Sequence, residues 1–325
     1  MSQNKLLVKL LIISAFLLVA GGVGADEKPA PMRIEIGLYI LDIAHLDVKE
    51  SEFYADFYIW YKAPADSVWK PENIEFMNGV IESATPLASG TSADGQQQWS
   101  QRIKGRFRGH FELHSYPFDR QSLPIVIEDA EYTDKELYFA ADSASPADFN
   151  LWIEPELRVP DWKRAGATCA TDTHHYRTDF GLGSNRKSSY SRFTFSVNLS
   201  RLFMPHLVKF ILPLLIIAGM AYVVFFINAS EFEAQCGICI TALLSAVALH
   251  NSQADALPNV GYLLMSDKIF ILFYIVIFLA LVQTVVNNNY AKRRRFDMAI
   301  YLDRVCRFWY PAILFAGNIL IYLLS

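Results

Sequence analysis

Cysteine is scarce in this chain: there are four among 325 residues, and only Cys169 falls between residues 26 and 200, so no disulfide can close within that half. Acidic residues are missing just as unevenly. None precedes residue 26, and only Glu231, Glu233, Asp255, Asp267, Asp297 and Asp303 follow residue 200. The 27 acids and 18 bases of residues 26–200 give that segment a balance of −9, against +3 for residues 201–325. An acidic front half excludes nucleic acid as a partner, and a weakly charged, apolar back half reads as membrane. Metal-ligand spacings, Gly-rich phosphate loops and nucleophile motifs are all lacking, so neither an enzyme nor a cofactor is implied. Disorder is excluded as well, because 53% of residues are hydrophobic and 14% aromatic.

The first 25 residues read as a cleaved secretory signal. Lys5 and Lys9 flank and interrupt an apolar run, and Val23-Gly24-Ala25 ends in the small-residue pattern of a cleavage site. The alternative is an uncleaved anchor, which the run is short to form, since a span needs about 20 residues. Residues 26–200 are then the exported domain. Short alternating or aromatic-rich runs at 34–43, 53–62, 99–113, 123–127 and 191–197, separated by Gly, Pro, Asn and Asp, predict an all-β sandwich. His174-His175 reads as a solvated loop, because adjacent imidazoles on an extended chain point to opposite faces and make a poor metal site.

Residues 201–325 contain four apolar stretches, at about 202–228, 233–251, 268–287 and 303–325, each long enough to cross about 30 Å of hydrocarbon. With the β domain outside, four spans return the C-terminus outside. They also place Lys292-Arg293-Arg294-Arg295 on the cytoplasmic side, as the excess of basic residues on that side requires. The same cluster also suits anionic lipid. Cys236-Gly237-Ile238-Cys239 has no basic neighbour to make a reactive thiolate.

The second span departs most from a lipid-facing helix. Glu233, Gly237, Thr241, Leu244, Ala248, Asn251 and Asp255 recur at close to the helical period, forming a stripe that is polar or small at both ends and apolar in the middle. Two alternatives stand for this stripe. It packs inside a four-helix bundle, or several copies surround an axis and it lines a channel. In the channel a ring of Glu233 selects cations and a ring of Leu244 closes the pore by dewetting.

Three motifs together resemble the pentameric ligand-gated ion channels, also called Cys-loop receptors. His114-Ser115-Tyr116-Pro117-Phe118-Asp119 is similar to their Pro-Phe-Asp loop at the domain junction, and Trp69-Lys70-Pro71 to their Trp-x-Pro. Arg201 with Pro205 and Pro213 resembles the approach to their first span, and Pro258 lies in the connection from second to third. Cysteines that close the loop in animal members are replaced by Gly109 and Leu123, and the linker between the third and fourth spans is short, which resembles the bacterial branch. The resemblance implies a homopentamer in a bacterial inner membrane, with the N-terminal domain and the C-terminus on the periplasmic side. Its partners would be monovalent cations, membrane lipids, and a small ligand or protons. It also implies Glu233 as selectivity residue and Leu244 as gate, with Asp47, Lys49, Pro117, Phe118, Asp119, Arg201 and Pro258 coupling the two halves.

By the same resemblance Tyr176 and Tyr190 map to the aromatics of a mobile agonist loop, Tyr58 to the facing strand and Arg102 to the complementary face. Ala130 stands where the amine-gated bacterial members carry an aromatic, flanked by Glu128, Asp129, Glu131 and Tyr132. The acids of this stretch are expected to titrate as a coupled cluster. Among the histidines, His250 is expected near the outer pore mouth. A membrane-anchored periplasmic solute sensor without conduction is the competing function, and it leaves the polar stripe unexplained.

Overall fold

The computed structural model describes residues 30–181 and 188–324, so the expected leader lies outside the described residues. Strand β1 (Met32–Asp47) shows how the sandwich forms. Ile34, Ile36, Leu38 and Ile40 alternate onto one buried face, and the next core residue is Ile43. A register shift against β2 (Glu52–Ala63) between Ile40 and Asp42 accounts for the skip, because an inserted residue flips a period-two strand. Six strands form one sheet in the order β4 (Gly79–Ala84), β6 (Gln97–Arg108), β2, β1, β8 (Leu137–Ala141), with β5 (Ala88–Thr91) paired on β6. The second sheet runs β3 (Ile74–Phe76), β7 (Arg120–Asp129), β10 (Ser189–Arg201), β9 (Trp162–His175). Phe53, Phe57 and Phe107 from the first sheet meet Ile127, Phe193 and Phe195 from the second in one core.

Two expectations change. The run at 99–113 ends as a strand at Arg108, and the chain then leaves the sheet toward the membrane helices. His174 and His175 are not in a loop. They end β9, where they pair with Tyr190 and Ser189 of β10. This 14-residue strand gives little apolar alternation because its outer face is solvated, and its register comes from backbone pairing with β10.

Asp142 locks the end of β8 to β2. Its carboxylate accepts hydrogen bonds from Trp60 Nε1 at 2.7 Å and Lys62 Nζ at 2.8 Å, with both ionic side chains buried. Burial alone raises its pKa, but the hydrogen bonds from Lys62, Trp60, the Ala144 amide and Ser145 outweigh this and hold it at about 2. With a folded pKa below the unfolded value of about 3.9, this stabilisation is complete above pH 4 and disappears as pH falls toward 2. Asp142→Asn leaves Lys62 buried without a counter-charge and is expected to cost about 3 kcal/mol. Unfolding of the detergent-solubilised chain followed by tryptophan fluorescence measures this, and an unchanged midpoint at pH 7 would refute it.

Four helices are long and apolar enough to cross a membrane: α1 (Phe203–Phe226), α2 (Phe232–Ala254), α3 (Met265–Lys292) and α4 (Phe296–Leu324). Prolines shape them. Pro213 lacks an N–H and crowds the carbonyl of Lys209, and the preceding turn, Leu207–Ile211, widens into a π-helix. Pro311 similarly frees the Arg307 carbonyl, which accepts the Tyr222 hydroxyl at 3.1 Å. The helix α2 packs between α1 and α3, whereas α4 packs mainly on α3. Buried Asp303 of α4 accepts hydrogen bonds from Gln283 and Asn287 of α3 at 2.9 and 2.7 Å.

Candidate pore face, ligand pocket and coupling junction

All seven residues of the expected stripe are exposed, six on α2 and Asp255 at its C-cap, and Leu244 at the centre is 64% exposed. The opposite face, with Gln235, Cys239, Ala242, Ala246 and Gln253, is buried against the other helices. The stripe therefore does not pack inside the bundle. Small residues at 239, 242 and 246 let α1 and α3 approach closely on one side, which turns the polar positions away on the other. Glu233 sits in the first turn of α2, where the helix dipole favours a carboxylate. His250 lies near the end of α2 that joins α3. It faces α3, with Nδ1 2.9 Å from the Tyr274 hydroxyl, Nε2 3.1 Å from Asp267 and its ring stacked on Phe270.

In the β domain, Glu128, Tyr176 and Tyr190 meet around a cavity of about 360 Å³ that Glu75, Met77, Asp129, Ala130 and Phe180 also line. Phe180 had no sequence signal because it lies in an irregular turn. Its ring stands 5.2 Å from Tyr176 and 6.3 Å from Tyr190, so three aromatic faces converge. The Tyr176 hydroxyl donates to Glu128 at 2.8 Å; burial and then this bond raise its pKa. Each acid of the expected cluster has a partner of its own, although Glu128 and Asp129 share the cavity wall. Glu128 pairs with Arg192 at 2.6 Å, Asp129 accepts Trp69 Nε1 at 2.7 Å, and Glu131 is held by Asn73. Tyr132 packs against the core instead of lining the cavity.

Tyr58 and Arg102 are on the other sheet and do not reach this cavity within one chain. The Arg102 guanidinium binds Asp56 through two hydrogen bonds of 2.8 and 2.7 Å and lies 5.8 Å from the Tyr58 ring centre. Hydrogen bonding from Arg102 outweighs burial and lowers the Asp56 pKa.

The junction between sandwich and helices brings the expected coupling residues together. Asp47 accepts the amides of Lys49 and Glu50, forming the turn that directs Lys49 Nζ to the carbonyl of Asp255 at the end of α2, 3.2 Å away. Asp119 binds Arg201 at 2.7 and 3.0 Å, and the guanidinium lies between the rings of Trp162 and Tyr116, 4.2 and 4.9 Å from their centres. Phe118 stacks on Phe203 at the start of α1 and meets Tyr322 near the end of α4 edge-on. Pro117 follows Tyr116 through a cis peptide bond. Leu257, next to Pro258, packs with Leu113, Tyr116 and Leu264. His114 was not among the expected coupling residues, yet it stacks on Tyr262 at 3.7 Å and its carbonyl accepts the Met265 amide at 2.9 Å.

A β-sandwich joined through such a junction to four apolar helices is a multi-pass membrane protein of the receptor-channel type. Residues 210–298 match the neurotransmitter-gated ion-channel transmembrane region family. Similar proteins include a proton-gated ion channel of Gloeobacter violaceus, 20% identical over 91% of this chain and 83% of its own length. A gamma-aminobutyric acid receptor subunit beta of Caenorhabditis elegans is 23% identical over 71% of this chain, and a pH-sensitive chloride channel 2 of Drosophila melanogaster is 23% identical over 82%. The chain spans 40% and 55% of the length of these two animal relatives. The chain thus carries the transmembrane region of the neurotransmitter-gated ion-channel family, and the relatives it resembles over most of its length are ligand-gated ion channels, not enzymes.

Proposed function

We propose that five copies of this chain surround the exposed face of α2 to form a cation-selective channel. Its proposed seat is a bacterial inner membrane, with the β-sandwich and C-terminus on the periplasmic side and the 292–295 cluster in the cytoplasm. The exposure of the whole Glu233-to-Asp255 stripe carries this proposal. Lipid is a costly neighbour for Glu233 and Asp255, whereas a water-filled axis solvates both. Five Glu233 carboxylates favour cations at one mouth, and five Leu244 side chains form the apolar constriction that closes it.

The stimulus is a small organic cation or protons acting on the β domain. Three aromatic rings beside Glu75, Glu128 and Asp129, with no Lys or Arg among the described lining residues, suit an ammonium group. Tyr58 and Arg102 of a neighbouring copy would close the open side. Phe180→Ala is expected to raise the half-activating concentration of an amine agonist about fivefold, through loss of about 1 kcal/mol of cation–π attraction. An unchanged dose–response curve would remove Phe180 from the site.

Current recorded from purified protein in planar bilayers, across pH and a panel of small amines, tests the assignment. Leu244→Ala is expected to slow closing or leave the pore partly open at rest. A bilayer silent under every condition would favour a non-conducting sensor.

A further inference from the structure

A groove of about 490 Å³ opens where the β-sandwich meets the start of α1, and Leu202, the residue preceding that helix, forms part of its wall. The groove therefore lies at the level where the chain enters the bilayer. Its charged lining is Arg158, Asp161, Lys163 and Arg164. Arg164 donates to the carbonyl of Glu154 at 3.2 Å, whereas the exposed Arg158 and Lys163 side chains have no hydrogen-bond or ion-pair partner among the described residues.

A second observation comes from the helix below. Lys209 is exposed on α1 and its ammonium has no partner among the described residues, although it lies within a membrane span. Helical Cα–Cβ bonds tilt toward the N-terminus, and the N-terminus of α1 is its groove end. From a Cα about 10 Å below Leu202, a side chain of this length can reach back to the headgroup level. Met204, Val208 and Leu212, spaced by four residues and 69%, 60% and 48% exposed, make an apolar ridge on the same helix.

We propose that this groove and ridge bind an anionic phospholipid from the leaflet on the β-sandwich side. Its phosphate lies among Arg158, Lys163 and Lys209, with an acyl chain along Met204, Val208 and Leu212. Asp161 is the one acid in the lining, so the site is net positive and favours an anionic over a zwitterionic headgroup. The basic cluster at 292–295 is separate, at the opposite end of the bundle.

The test uses the full chain in nanodiscs of phosphatidylcholine alone or with one third phosphatidylglycerol, scored by bound lipid in native mass spectrometry and by melting temperature. Phosphatidylglycerol is expected to be retained and to raise the melting temperature. Lys209→Met and Arg158→Gln should each weaken retention about fivefold, as about 1 kcal/mol per base implies. Lys209→Arg should restore it, which separates lost binding from misfolding. Equal retention by wild type and the Arg158→Gln/Lys209→Met double variant would overturn the proposal. So would the same stabilisation by inorganic phosphate or glycerol phosphate in detergent, because the occupant would then be a soluble anion.

Discussion

Asp119→Ala is expected to give a channel that reaches the membrane and assembles but does not open. Asp119 and Arg201 form a two-point ion pair, with side chains only 1% and 14% exposed, and Gln121 adds a third contact to the same carboxylate. Removing one member of a buried pair leaves an uncompensated charge and costs about 3–5 kcal/mol. That cost falls at the joint between the Pro117-Phe118 loop and the strand leading into α1. The loop also holds the α2–α3 connection through His114, Tyr262 and Leu257, so a loosened joint can no longer transmit a preference for the open state. Asp119→Asn keeps the volume and removes the charge, so it separates electrostatics from packing. Size-exclusion chromatography reports assembly, and agonist- or pH-evoked current reports gating. Normal current from Asp119→Ala would remove the pair from the mechanism.

The second large effect is on ion selectivity. Under a salt gradient the wild-type reversal potential is expected near the cation equilibrium value, and Glu233→Ala should move it toward zero. A loss of about tenfold in cation-to-anion permeability corresponds to about 1.4 kcal/mol. Glu233→Asp, which keeps the charge, should retain most of the selectivity. A reversal potential unchanged in Glu233→Ala would sink the selectivity assignment, and a wild-type value at the anion equilibrium would reverse it, as the likeness to a chloride channel makes worth measuring.

The membrane helices and the stripe on α2 were legible because a helical period and long apolar runs are local properties of the chain. Strand β1 was legible for the same reason, with Ile34, Ile36, Leu38 and Ile40 in strict alternation. Strand β9 was not, since one of its faces is solvated and its register depends on β10, a dozen residues further on. Phe180 gave no signal because a lone aromatic in a turn looks the same whether it faces a pocket or solvent. The level of His250 along α2 is legible in the sequence, whereas its facing toward α3 depends on the positions of Asp267, Tyr274 and Phe270.

Sequence by itself determined the two-part construction, the four helices and which residues share one face of α2, because composition and periodicity follow from burial in water or lipid one element at a time. Tertiary structure decided which way that face turns, which acids find separate partners, and how Asp119, Arg201 and His114 meet the helices. Those outcomes depend on contacts between residues tens to hundreds of positions apart, whose energies no local pattern carries.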